Sequence, residues 1–257
     1  MNIQRNQKGF SLVELSIVIL VMGLLLGGLM MPLSVQRENA KFREAMNQLD
    51  SISNTIEGFA LANGYLPCPA TPASSGYAAP AGDACVVQHG FVPATTLDLG
   101  GRRNTDNMLL DPWGAPIHYS VSASDADADG RWDFVTPGEM RDVSMSTLSP
   151  DLVVCSSAVG SSSTACASQN VTLTQAAPMI IYSLGKDWAS FTSADEVENV
   201  GTTLGGGVSG TNYRVAANAV FVLRGKSELG GSEFDDVLSW LAPNRLYARL
   251  ADGGYLP

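Results

Sequence analysis

Lys8-Gly9-Phe10-Ser11-Leu12-Val13-Glu14, followed by an uncharged apolar run from Leu15 to Met31, decides how this chain is read. A charged side chain in a membrane-length apolar segment costs about 2.5–3.5 kcal/mol at a helix centre and less near an end, so it marks function and has a partner. Glu14 stands one turn inside the segment that starts at Phe10. Cleavage after Gly9 would make Phe10 a new N-terminus whose α-ammonium lies four residues from Glu14, at the same depth. A neighbouring copy could then offer its amine to this carboxylate. A secretory signal carries its small-residue cleavage site after the apolar core, and no A-x-A-like site follows this one. No cysteine lies near it either, which removes a lipoprotein reading. A plain anchor needs only ~20 apolar residues, and it leaves Glu14 and the Gly9-Phe10 junction without a role. Arg5 and Lys8 precede the span, so the positive-inside rule places residues 1–9 in the cytoplasm and the remainder outside.

On those residues the chain resembles the type IV pilin family, type II secretion pseudopilins included: a short basic leader ending in Gly, then Phe, then Glu as fifth mature residue. The resemblance implies cleavage after Gly9 by a prepilin peptidase, N-methylation of Phe10 and an assembly role for Glu14. It further implies polymerisation with other pilins or pseudopilins through the N-terminal helix, driven from an inner-membrane assembly platform. The expected location is the inner membrane, single-pass, with the C-terminal domain periplasmic, and then a periplasmic or cell-surface filament.

The whole chain has a formal charge of −10; without Arg5 and Lys8 it retains 13 Lys plus Arg against 25 Asp plus Glu, or −12. Phosphate-backbone binding needs a basic stripe, and the positive residues here are scattered among acids, so no nucleic-acid partner is expected. Cys68, Cys85, Cys155 and Cys166 all follow the span, in a compartment where disulfides persist. Four cysteines allow three connectivities. Cys68–Cys85 with Cys155–Cys166 is favoured, because each pair brackets a loop rich in small residues and proline.

From Gln36 onward Phe42, Met46, Leu49, Ile52, Ile56 and Phe59 recur at helical spacing, which predicts a single helix over 11–62. Pro32 is expected to kink it, and Asn63-Gly64 to cap it in a left-handed conformation. Strands are expected at Ile117 to Ser122, Val171 to Thr174, Met179 to Leu184 and Tyr213 to Leu223. Phe234, Val237, Leu238 and Leu241 at helical spacing predict a helix over Glu233 to Leu241, and Pro243 opens a second through Arg249. The fold class is therefore α+β. By resemblance it is pilin-like: a long N-terminal helix, half membrane and half amphipathic, packed on an antiparallel β-sheet, with extra C-terminal helices. The expected segments are a leader at 1–9, a transmembrane and assembly helix at 10–31, its amphipathic continuation at 32–62 and a globular domain at 63–257.

Three further motifs concern the globular domain. Asp111-Pro112-Trp113-Gly114-Ala115-Pro116-Ile117-His118-Tyr119 is similar to a pseudopilin signature, and its expected role is structural: a turn at Asp-Pro, Trp113 plugging a core, and entry into a strand. Ile181 to Asp187 followed by Ser193-Ala194-Asp195-Glu196 is similar to the loop where pseudopilins hold calcium, which makes Asp187 and Asp195 candidate Ca2+ ligands. In a second acidic loop Asp125, Asp127, Asp129 and Asp133 stand at positions 1, 3, 5 and 9 with Gly130 at 6, the EF-hand order. Thr136 occupies position 12 in place of a bidentate glutamate, so binding there is expected to be weak. Two histidines, no G-x-S-x-G and no metal-ligand cluster leave no catalytic constellation, and no enzyme is expected. The sequence thus reads as a minor pilin-like structural subunit of a type IV pilus or type II secretion pseudopilus. The alternatives are a filament-tip adhesin or ligand-binding subunit, and a membrane-anchored periplasmic protein that never polymerises.

Overall fold

The computed structural model describes Gly9 and residues 11–143, 145–191, 193–201 and 214–256; the side chains of residues 26–33 lie outside that description. The kink expected at Pro32 and the first residue of the strand expected from Tyr213 fall there. Two units divide the chain, Met1–Arg43 and Glu44–Pro257. One helix, α1 (Leu12–Asn63), contributes to both. Its Leu12–Leu25 stretch carries exposed apolar side chains, from Leu12 at 86 % to Val21 at 45 %. Among the described residues no helix is long and apolar enough to cross a membrane; the side chains described in the apolar run stop at Leu25, short of the ~20 residues a span requires.

Within the second unit α1 buries a stripe of Ala45, Leu49, Ile52, Ile56 and Ala60, each no more than 2 % exposed. The spacing of four, three, four and four is that of one helix face. The stripe differs from the expected one: Met46 is 47 % exposed, and Phe42 and Phe59 are half-buried. Small Ala45 and Ala60 take the buried positions, and the larger Phe42, Met46 and Phe59 lie at the edge of the buried face. Gly64 ends the helix at φ +83°, its N–H donating to the Ala60 carbonyl at 2.7 Å, as the Asn-Gly pair anticipates.

After α1 come β1 (Pro80–Ala81), β2 (Ala84–Cys85), β3 (His89–Phe91), β4 (His118–Val121), α2 (Glu139–Asp142), β5 (Leu152–Cys155), β6 (Thr172–Ala177), β7 (Met179–Ser183), α3 (Ala194–Val200), β8 (Val220–Val222), β9 (Ser227–Leu229), β10 (Ser232–Phe234), β11 (Val237–Trp240) and α4 (Pro243–Asp252). The fold is α+β. An antiparallel sheet has the order β11-β7-β4-β3, and a second runs β6-β5-β8. In the second sheet β5 pairs antiparallel with β6 and parallel with β8. Strand β7 is buried at every residue because it is paired on both edges, with His118↔Tyr182 on one side and Ser183↔Val237 on the other. Ile180, Tyr182, Leu184, Leu152, Val154 and Phe221 form the core between the two sheets.

The helix expected over Glu233 to Leu241 is instead the end of β10, a two-residue junction and β11. The apolar spacing there fits both periods. Extended pairing wins because β7 offers an open edge to Val237–Trp240 and because Asp235 and Asp236 anchor the junction: Asp235 Oδ2 accepts from the Lys186 N–H at 2.9 Å and Asp236 Oδ2 from Asn199 Nδ2 at 2.7 Å. A single C-terminal helix, α4, therefore stands where two were expected. Pro243 opens it and Leu246 and Leu250 are buried. Arg245 reaches back to Glu57 at 2.9 Å and to Asn54 at 3.2 Å, and the Tyr255 hydroxyl donates to the Ala62 carbonyl at 2.7 Å. The last turn of α1 is thus held by the C-terminal segment. Disulfides join Cys68 to Cys85 and Cys155 to Cys166.

Candidate functional site

At the start of α1 the Ser11 N–H donates to Glu14 Oε2 at 3.0 Å, while Ser11 Oγ accepts from the Val13 N–H at 3.2 Å. Donor groups at the first turn have no intrahelical acceptors, and a Ser-x-x-Glu pair satisfies two of them reciprocally. Glu14 is therefore a helix cap as well as an acid in an apolar run. The signal was present in the sequence as Ser11-Leu12-Val13-Glu14. Gly9 is exposed, and a Cβ at that position would meet nothing within 4 Å. Phe10, the expected methylation residue, lies outside the described residues.

The Asp111 turn is a second built feature. Asp111 is 1 % exposed; its Oδ1 accepts the N–H groups of Trp113, Gly114 and Ala115 at 2.9, 2.7 and 2.8 Å, and its Oδ2 accepts from Ser183 Oγ at 2.5 Å. Burial raises its pKa against the opposing pull of those four donors. The turn feeds β4 as expected. Trp113 is only half-buried, so the core role assigned to it passes to Ala115, Ile117 and Tyr119, each no more than 1 % exposed.

In the EF-hand-like loop, Asp125 and Asp133 accept hydrogen bonds from within the loop. Asp125 accepts from the N–H groups of Asp129 and Gly130 at 3.1 and 2.9 Å. Asp133, fully buried, accepts from Ser124 Oγ at 2.7 Å and from the Ala126 N–H at 3.1 Å, and burial raises its pKa. Arg131 supplies a resident cation, 2.7 Å from Glu139 and 3.7 Å from both Asp83 and Asp129. Thr136 at position 12 donates to the Asp83 carbonyl at 2.7 Å. Asp125, Asp127 and Asp133 do converge, but the hydrogen bonds of this loop are made within the chain.

The other loop is built differently from the sequence expectation. Asp195 turns away from Asp187: it pairs with Arg224 at 2.7 Å and accepts from the Ala158 N–H at 2.7 Å. Asp187 converges instead with Glu196 and Asp235, their carboxylate oxygens lying within 4.8 Å of one another. Burial, then repulsion from Asp235 and Glu196, pushes Asp187 up to about 7. Burial also carries the neighbouring Asp236 well above the usual carboxylate range. Asp235 comes from the β10–β11 junction, in the segment read from sequence as a helix, so no local pattern pointed to it.

Residues 4–30 match the family model described as the prokaryotic N-terminal methylation motif. The chain carries a prokaryotic N-terminal methylation motif. This match is consistent with the type IV pilin and pseudopilin family. Comparison with curated proteins returns no match, and comparison with solved structures returns none. The motif contains Gly9, Ser11 and Glu14, the residues whose geometry is described above. It implies processing by a prepilin peptidase and assembly with other pilins, suggests membrane-anchored or surface assembly, and indicates a structural subunit.

Proposed function

We propose that this chain is a minor pilin-like subunit of a type IV pilus or type II secretion pseudopilus, cleaved after Gly9, N-methylated at Phe10 and assembled through its N-terminal helix. The observation that carries this reading is a methylation motif over residues 4–30 in which the first acid, Glu14, sits at the head of a helix whose apolar side chains are exposed in the single chain. Contiguous exposed apolar surface of this kind requires lipid or other protein. During extraction from lipid, Glu14 neutralises the Phe10 amine of an adjacent subunit while the apolar side chains are buried against neighbouring copies. The size of the globular domain supports low copy number, because a large domain is harder to pack at every helical position.

The capping contact gives the test its discrimination. Glutamine is a good partner in a Ser-x-x-Glu/Gln box, so Glu14→Gln keeps the cap and removes the charge, whereas Glu14→Ala removes both. Filaments sheared from cells are quantified by mass spectrometry for this chain and its N-terminal peptide. Both variants are expected to be cleaved to a methylated Phe10 terminus and to be depleted from filaments. Normal incorporation of Glu14→Gln with loss of Glu14→Ala would assign Glu14 to the cap alone and defeat the charge-pairing mechanism.

A further inference from the structure

We infer that Ser11 is a positioning residue for the processing reaction: as the N-cap of α1 it halts the helix at Leu12, so that the Gly9–Phe10 bond stays outside it and within reach of a peptidase. The inference rests on Gly9 being the cleavage residue and adds a determinant on the far side of the cut. All three polar groups of Ser11 are committed to the first turn. Its carbonyl accepts the Leu15 N–H at 3.1 Å, the first bond of the helix ladder. Its Oγ accepts from the Val13 N–H at 3.2 Å, and its own N–H donates to Glu14 Oε2 at 3.0 Å. A carbonyl already in the ladder and a side chain folded back on the first turn define an N-cap, where the backbone leaves helical geometry.

The contact to Glu14 has a direction. A helix prolonged towards the N-terminus would hand the Ser11 N–H to the carbonyl of Gln7, four residues back, and the Glu14 carboxylate already holds that N–H. Upstream of the cap, Gly9 is exposed and lies outside α1, and a Cβ on it would meet nothing within 4 Å. Among the described residues, then, nothing in the chain itself demands glycine there, and the demand passes to the enzyme. Proteases cut exposed backbone outside regular structure, because an amide inside a helix has its N–H and C=O already bonded and must be unwound first. Hydrolysis adds water across the Gly9–Phe10 amide, leaving a Gly9 carboxylate on the leader and the α-amine on Phe10. Alanine at position 11 would remove the Oγ acceptor and substitute the best helix former, which favours chains whose helix runs back across the cut.

The test follows cleavage of the full-length precursor in non-ionic detergent by a prepilin peptidase, the product being identified by the mass of its N-terminal peptide. Ser11→Ala is compared with Ser11→Gly, Ser11→Asn and Ser11→Thr. Asparagine, threonine and glycine serve as N-caps and alanine does not, while glycine and threonine bracket alanine in size. Loss of an ordinary cap should lower kcat/KM at least about threefold in Ser11→Ala, with the other three variants within about twofold of wild type. The change is expected in KM with kcat kept, because it reduces the fraction of binding-competent chains and leaves the reacting bond untouched. Ser11→Ala cut as fast as wild type would overturn the inference. So would a rate for Ser11→Ala between those of Ser11→Gly and Ser11→Thr, since the enzyme would then be reading side-chain size. A wild-type precursor not cut after Gly9 would defeat the processing reading itself, and this inference with it.

Discussion

Acidification should destabilise the globular domain through His89 and His118, the two histidines of the chain. His118 is 3 % exposed, stacked on Tyr182 at 4.8 Å and packed on Phe91 at 4.9 Å. Its Nε2 lies 3.0 Å from the Arg214 carbonyl. His89 Nδ1 is 3.0 Å from Ser120 Oγ. Burial lowers both imidazoles from 6.5 to about 4. A group whose folded pKa is depressed contributes stability that is present above the unfolded value and lost as pH falls towards the folded one. Each histidine therefore removes about 2 kcal/mol of unfolding free energy by pH 5, and about 3.4 kcal/mol once pH is well below 4. Asp187 works in the opposite sense, since its folded pKa is raised to about 7, so the comparison must isolate one imidazole. His118→Phe keeps a ring in the stack and removes the titration. Urea unfolding of the full-length chain with its disulfides intact, followed by tryptophan fluorescence at pH 7.5 and pH 5, gives the difference in unfolding free energy between the two pH values. That difference should fall by about 2 kcal/mol in the variant relative to wild type. An unchanged difference would refute the placement of His118 as a neutral, solvent-excluded ring.

The remaining predictions concern the clasp, the caps and the disulfides. Arg245→Ala leaves Glu57, 6 % exposed, without its ion pair and should cost about 1–3 kcal/mol, much of which Glu57→Gln recovers in the double variant, as read by urea midpoints. Gly64→Ala meets the Tyr255 ring at 2.5 Å at a backbone φ of +83° and should lower stability by at least about 1 kcal/mol. Gly58→Ala in the same helix, with nothing within 4 Å, should raise it by about 0.5–1 kcal/mol. Removing the Cys155–Cys166 bridge by paired alanines opens a sequence separation of 11 residues and should cost about 3 kcal/mol in the chain-entropy model, visible as a lower thermal midpoint.

Local chemistry was legible in the sequence where a single segment supplies all its own partners. The α1 helix, its Gly64 cap, Pro243 at the head of α4, and strands β4 and β7 each declare themselves through spacing, capping residues or β-rich runs. The Ser11–Glu14 box is equally local, both partners lying within one helical turn. The N-terminal motif belongs here too, since cleavage and methylation chemistry reads a contiguous segment.

Tertiary structure decided what depends on residues far apart. Whether 233–241 coils or extends turned on an open β7 edge and on Lys186 and Asn199, which the segment itself does not encode. The same fold brought Asp235 to Asp187 and drew Asp195 to Arg224. Which α1 residues are buried was likewise decided by tertiary packing, since Ala45 and Ala60 are buried while the larger Met46 is 47 % exposed. The physical reason is common to all three: a helix period or a cap is satisfied within a few residues by short-range bonds. Strand pairing, carboxylate clustering and the choice of buried face are fixed only when distant segments compete for the same edge, cation or cavity.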